Sequence, residues 1–207
     1  MPILAVKNLF CERDDRVLFE NLNFSLASGE IIQIEGQNGS GKTTLLRILC
    51  GLNGNYEGDI LWQNQAIDAV RDQFLSALLY LGHHPGIKTV LTAEENLRWY
   101  EALHPMTADI NMETALEQVG LRGFEDVPCH NLSAGQHRRV ALARLRMSNA
   151  PLWILDEPFT AIDKRGVVEQ EALIAAHARA GGSIVLTTHH ELAIHAVVKK
   201  INLDKLP

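Results

Sequence analysis

The sequence predicts an α/β fold, a mainly parallel sheet flanked by helices, with an antiparallel β portion in front and a small helical insertion. Three observations predict it. A β-branched run from Glu30 to Glu35 stops at Gly36 and leads straight into a helical pattern. Helical spacing then dominates between Pro85 and Asn131, and strand and helix alternate again from Ser133 onward. With 207 residues against roughly 150 for a typical domain, the chain is expected to be a single domain over 1–207, with its core at 1–84 and 150–207 and the helical subdomain at about 85–149.

The opening strands are expected at Ile3 to Lys7 and Asn21 to Ala27, with turn-rich joints, followed by the buried strand Glu30 to Glu35. After Thr43, Leu45, Leu46, Ile48 and Leu49 follow helical spacing and end at Gly51, a residue suited to a helix C-terminus. In the insertion, Thr92 and Glu95 form a T-x-x-E capping box ahead of Leu97, Trp99 and Leu103, and a second helix carries Met112, Leu116 and Val119. The closing half reads as a helix through Met147, a strand at Leu152 to Leu155, a helix after Asp163, a strand at Ser183 to Thr188 and a last strand at Lys199 to Leu203.

Composition narrows the classes of function. Hydrophobic residues make up 46% and charged residues 21%, enough apolar side chain for a core and too much for intrinsic disorder. The net charge of −6 provides no overall field to gather nucleic acid, and no nucleic-acid partner is expected. The longest stretch free of charged residues, Gln73 to Ile87, contains Gly82, His83, His84 and Pro85 and does not resemble a membrane span. Lys7 interrupts the first apolar stretch, so no signal peptide is expected and the mature chain should begin at Met1 or Pro2, in the cytosol. Cys11, Cys50 and Cys129 are odd in number and lack CxxC spacing, which favours buried reduced thiols.

Gly36-Gln37-Asn38-Gly39-Ser40-Gly41-Lys42-Thr43 fits G-x-x-x-x-G-K-[ST] between a strand and a helix, where backbone N–H groups and the helix N-terminus can wrap a phosphate. Four fixed positions match by accident roughly once in 30,000 windows, so a plain glycine-rich turn is the weaker reading. Lys42 would reach the β- and γ-phosphates and Thr43 would ligate Mg²⁺, with Thr44 completing the nucleotide-binding run. Pro151 to Pro158 is an apolar strand ending in Asp156 and Glu157, at the sheet edge where ligands bind. Asp156 suits the Mg²⁺ shell. Glu157 is expected on the other side of the strand, polarising an attacking water. Standing alone, the two acids would be a polar strand end entering a turn.

With Leu132-Ser133-Ala134-Gly135-Gln136 the chain resembles the ATP-binding cassette (ABC) ATPases, one residue changed from their LSGGQ signature and with their order of motifs. The same residues form an S-x-x-Q capping box, so they also start a helix. The resemblance implies a P-loop NTPase fold of the ABC type and a homodimer with ATP sandwiched between subunits. In that dimer Ser133, Gly135 and Gln136 complete the partner's γ-phosphate pocket. Phe159 to Asp163 resembles the D-loop, with Asp163 crossing toward the partner, and Thr187-Thr188-His189 resembles the switch histidine, leaving His190 a bystander. The adjacent histidines His83-His84 and His189-His190 point different ways and lack completing ligands, which argues against a metal site.

Two positions depart from the family. Arg13 stands where an aromatic side chain stacks on adenine; a guanidinium plane can stack on a base, and Phe10 lies nearby. Leu79-Tyr80-Leu81-Gly82-His83-His84 lacks the Q-loop glutamine, with His83 the better-registered substitute and His84 the alternative. Gly82 to Lys88, Leu91 to Leu97 and Phe159 to Asp163 further resemble the haem-exporter ATPases of bacterial cytochrome c maturation. That resemblance implies a peripheral subunit on the cytoplasmic face of the inner membrane, bound to integral membrane subunits and coupled indirectly to release of a periplasmic haem chaperone. A lipoprotein-release or small-solute exporter is the alternative within transport. A soluble cassette acting on DNA or ribosomes, and a nucleotide-binding module without turnover, are the readings outside it.

Overall fold

A computed structural model of the chain describes residues 2–104, 110–194 and 196–205; the expected start at Met1 lies outside them. Two sheets organise the molecule. The first is antiparallel, in the order β2-β1-β4-β5, from β1 (Pro2–Arg13), β2 (Arg16–Ala27), β4 (Glu57–Trp62) and β5 (Gln65–Ala66). The second is parallel, in the order β6-β7-β8-β3-β9, from β3 (Ile31–Glu35), β6 (Leu78–Leu81), β7 (Leu152–Asp156), β8 (Ser183–Thr187) and β9 (Val198–Asn202). The helices are α1 (Lys42–Leu49), α2 (Arg71–Ser76), α3 (Ala93–Leu103), α4 (Met112–Gln118), α5 (Ala134–Met147) and α6 (Lys164–Arg179).

The central strands of the parallel sheet are buried on both faces and are continuous apolar runs, every residue of β7 and β8 being buried, while the edge strand β9, Val198–Asn202, is partly exposed. On one face the antiparallel sheet and α1 close a core through Leu4, Leu26, Leu45, Leu49 and Ile154; on the other, α5 and α6 close a second core around Trp153, Leu155 and Leu186. A third core lies among α3, α4 and α5, around Leu97, Leu116 and Val140. Helix α5 serves two of these, with Leu142 and Leu145 facing the sheet while Val140, Ala143 and Met147 face α3 and α4.

The expected opening strands are longer in the structure. They join through a two-residue turn at Asp14 and Asp15, both at positive φ of 53° and 58°, the geometry that matches hairpin twist; Arg13 pairs directly with Arg16. Strands β4 and β5 and helix α2 carry too few buried side chains to show a period: α2 buries only Phe74. Both expected capping boxes form, Thr92 with Glu95 at α3 and Ser133 with Gln136 at α5. All three cysteines are free thiols and buried. No described helix is long and apolar enough to cross a membrane.

Candidate active site

Three neighbouring strands of the parallel sheet end side by side, and the site is assembled from the residues just beyond each strand end. Asp156 at the end of β7 pairs in register with Thr187 of β8, which pairs with Ile34 of β3. The loop from β3 to α1 is tightly coiled. Gly36 sits at φ 150°, and a Cβ there would collide with Ser40 Oγ; Gly41, at φ 96°, would place a Cβ 3.1 Å from Leu18. Only glycine fits either position. The loop presents α1 by its N-terminus, whose unpaired N–H groups and dipole favour an anion.

Arg13, Asn38, Gly39, Gly41, Lys42, Thr43, Thr44, His83, Asp156, Glu157 and His189 line one cleft of about 750 Å³, a volume suited to a nucleotide. Gly36 opens onto the adjoining hollow beside His189, while Gln37 and Ser40 face the back of the loop toward Asp204, whose Oδ2 accepts the Gln37 N–H at 2.8 Å. Lys42 Nζ donates to the Gly36 and Gln37 carbonyls at 2.6 and 3.0 Å, folded along the loop it would leave to meet a phosphate. Ser40 Oγ is buried without a partner.

Asp156 is 2% exposed and accepts two hydroxyl hydrogen bonds, from Thr43 Oγ1 at 2.8 Å and Thr187 Oγ1 at 2.7 Å. Thr43 and Asp156 thus bring two hard oxygen donors together from different elements, the donor chemistry Mg²⁺ selects. Among the described residues no group of three or more His, Cys, Asp and Glu could hold a metal, so a cation here would complete its shell from phosphate and water.

Glu157 departs from expectation. Strand alternation predicts that it turns away from Asp156, yet both line the same cleft. The reason lies in the backbone: β7 ends at Asp156, and Glu157 adopts a left-handed φ of 52°, which breaks the alternation and costs about 1–2 kcal/mol for a non-glycine residue. Hydrogen bonds pin both its peptide groups. Its N–H donates to Thr187 Oγ1 at 3.0 Å and to the Thr187 carbonyl at 3.2 Å. Its carbonyl accepts from Arg138 at 2.7 Å and from the Thr160 N–H at 3.2 Å. Glu157 Oε1 is buried with no hydrogen-bond partner and lies 3.7 Å from His189 Nε2. The His189 ring is 65% exposed and is held by the segment after β8.

His190 has a structural task. Its Nε2 lies 3.0 Å from Glu171 Oε1 on α6, the same oxygen that accepts the Ala193 N–H at 2.7 Å, and its ring packs against Phe159. The segment that carries His189 is thereby fastened to α6. His83 faces the cleft and His84 is not among its lining residues. Arg13 reaches the cleft rim from the β1–β2 turn, largely exposed beside Asp14. Phe10 pairs with Glu57 in the sheet instead, and Leu18, which carried no motif, supplies an apolar wall to the cleft.

Ser133, Gly135, Gln136 and Asp163 do not join this cleft. Ser133 and Gln136 cap α5, and Asp163 caps α6 through the Gly166 N–H at 2.8 Å while pairing with Arg139 at 3.2 Å across a second cleft of about 600 Å³. The Gly166 N–H, first, and then Arg139 hold the Asp163 carboxyl below the usual aspartate range.

Sequence motifs missed Arg138, which is buried and carries no signature, and they placed Thr187 only as the residue that opens the switch-histidine segment, without the contacts its buried hydroxyl makes. Arg138 is 4% exposed, and its guanidinium donates to the carbonyls of Gly82, Asp156 and Glu157 at 2.7–2.8 Å. Burial pulls its pKa below the ordinary arginine value, opposed by Asp156, Glu157 and Tyr80.

Comparison with known proteins agrees with this geometry. The family model for ABC transporters matches residues 19–160. The cytochrome c biogenesis ATP-binding export protein CcmA of Hahella chejuensis is 55% identical over 98% of this chain and 96% of its own length. The protein of that name from Pseudomonas putida is 58% identical over 91% and 90%. Among solved structures, a dimeric ATP-binding cassette in a post-hydrolysis state bound to ADP and Pi superposes with a TM-score of 0.76 at 25% identity, covering 90% of this chain and 88% of that one. From the phosphate-wrapping loop to the full-length relatives, the chain belongs to the ABC transporter family, as an ATP-binding subunit on the branch that holds these cytochrome c biogenesis proteins.

Proposed function

We propose that this chain is the ATP-hydrolysing subunit of an ABC transporter complex for cytochrome c maturation, acting as a homodimer with ATP between its subunits. It binds integral membrane subunits peripherally, on the cytoplasmic face of the bacterial inner membrane, and couples hydrolysis to haem export or release of a haem-loaded periplasmic chaperone. The observation that carries hydrolysis is the Glu157 Oε1, buried without a hydrogen-bond partner and facing His189 at 3.7 Å, held by a strained backbone in the cleft that holds Lys42 and Thr43. Near-full-length identity to the cytochrome c biogenesis relatives supports the biological role.

The loop N–H groups from Gly36 to Thr44 and Lys42 hold the phosphates. Thr43 and Asp156 would hold Mg²⁺, which when bound neutralises charge on the β- and γ-phosphates. Glu157 takes a proton as the oxygen of water bonds to the γ-phosphorus; the bond from that phosphorus to the bridging oxygen breaks, leaving ADP and inorganic phosphate. His189 steadies the γ-phosphate and His83 orients the water. Arg13 and Leu18 flank the base. Ser133, Gly135, Gln136 and Asp163 lie outside their own chain's cleft and act on the partner's nucleotide.

Glu157→Gln tests the reading: nucleotide binding should persist, turnover should fall about 10²–10⁴-fold, and ATP with Mg²⁺ should yield a dimer on size exclusion. In cells the same substitution should remove mature c-type cytochromes, leave b-type haem proteins present and let haem-loaded chaperone accumulate. Turnover near the parent rate refutes the role of Glu157. Normal c-type bands on haem staining, with the variant protein expressed, refute the maturation role.

A further inference from the structure

The buried arginine at the start of α5 contacts the backbone of three expected site residues and no side chain of theirs. One guanidinium nitrogen of Arg138 donates to the Gly82 carbonyl at 2.8 Å, with a longer contact of 3.5 Å to the His83 carbonyl, at the end of β6. The other donates to the Asp156 and Glu157 carbonyls at 2.8 and 2.7 Å, at the end of β7. Its Nε is buried without a partner. A residue serving packing alone would not need a charge here, since an apolar side chain would leave no orphaned donor.

We propose that Arg138 is a positioning residue for hydrolysis, which clamps the ends of β6 and β7 to α5 and so fixes the backbone from which His83 and Glu157 enter the cleft. The inference rests on the reading of Glu157 as the group that activates water. Glu157 holds a left-handed backbone, and such a conformation persists only where its surroundings over-determine it. Thr187 secures the N–H side of that residue, and Arg138 is the side chain that secures the carbonyl side. The planar fork is required because its two nitrogens serve two different strands, whereas an ammonium is a point donor. Helix α5 begins at its cap Ser133, so Arg138 lies one turn into the helix, on a rigid element. A shift of that helix end therefore moves the clamp, which links what Ser133 contacts to the hydrolytic carboxylate.

The test is a cycle of wild type, Arg138→Lys, Glu157→Gln and the double variant, each assayed for equilibrium ATP binding and for steady-state turnover with Mg²⁺. Arg138→Lys should leave ATP affinity and KM within about twofold and lower kcat at least about tenfold, because the phosphate contacts of Lys42 and Thr43 do not involve Arg138. In the Glu157→Gln background the same change should lower the residual rate less than about twofold, since the group being positioned is already gone. Arg138→Gln, with one amide that reaches one strand end, should behave as Arg138→Lys does. The proposal is overturned by kcat within twofold of wild type, by losses that multiply in the double variant, or by affinity falling as much as kcat. It is also overturned if both variants fail to fold by circular dichroism, which would make Arg138 a core residue. Failure of the underlying reading has its own mark: Glu157→Gln then turns over at the wild-type rate.

Discussion

Thr187→Val removes a single oxygen from the centre of the site at constant side-chain volume. Thr187 is fully buried, so no cavity and no change in solvent exposure accompany the substitution. Two hydrogen bonds are lost: the hydroxyl's donation to Asp156 Oδ1 at 2.7 Å, and its acceptance of the Glu157 N–H at 3.0 Å. The losses are unequal. The Glu157 N–H keeps the Thr187 carbonyl at 3.2 Å, but Asp156 keeps only Thr43 as hydroxyl donor, and a hydrogen bond to a charged group is worth about 1.5–3 kcal/mol. The expected loss is about 2 kcal/mol, which for a chain of this size lowers Tm by about 4–8 °C. Turnover should fall about tenfold as the strained Glu157 backbone loses one anchor, about 1.4 kcal/mol in the barrier. Urea unfolding monitored by tryptophan fluorescence, together with phosphate release, measures both effects, and Thr187→Ser, which keeps the hydroxyl, serves as control. Equal destabilisation by Ser and Val, or a Val variant with unchanged midpoint and turnover, would refute this account of the hydroxyl.

Three further outcomes are expected. Lys42→Ala should weaken nucleotide affinity, whereas Ser133→Ala should mainly lower turnover, and mixing the two variants should restore activity in part; equal affinity losses in the isolated monomers would count against a site shared between subunits. Glu171→Gln should loosen the segment carrying His189 and lower kcat about two- to tenfold by weakening its charge-assisted contacts with His190 and Ala193, with faster amide exchange at 188–194 and unchanged ATP affinity as the signature. His177, stacked on Trp153 at 3.7 Å between ring centroids, has its pKa pushed down to about 4 by burial. The unfolded chain therefore binds the extra proton first, so stability falls as pH drops from about 6.5 to about 4, by no more than about 3 kcal/mol. Urea midpoints at pH 7 and pH 5 should differ less in His177→Phe than in wild type; an unchanged difference would show that other groups set the acid limb.

Local sequence determined the features that depend on neighbours along the chain. The loop from Gly36 to Gly41 is legible because its glycines answer local backbone demands at φ 150° and 96°. The capping boxes at Thr92 and Ser133 are closed by residues three positions away, and the buried parallel strands announce themselves as apolar runs. Tertiary structure decided what depends on distant partners. Glu157 shares the cleft with Asp156 because Thr187 and Arg138, from another strand and another helix, hold a backbone conformation that strand alternation does not foresee. Arg138 left no mark in the sequence, since one arginine among several in α5 matches no spacing rule, and Thr187 entered only as the residue that opens the switch-histidine segment, with nothing along the chain to tell that its hydroxyl anchors Asp156 and Glu157. The choice of His83 over His84 as the cleft-lining residue, and of Leu18 over Phe10, was likewise made by the twist and register of strands that meet only when the chain folds. Periodicity reports which face of an element is apolar; hydrogen bonds between elements far apart in sequence decide where its polar end points.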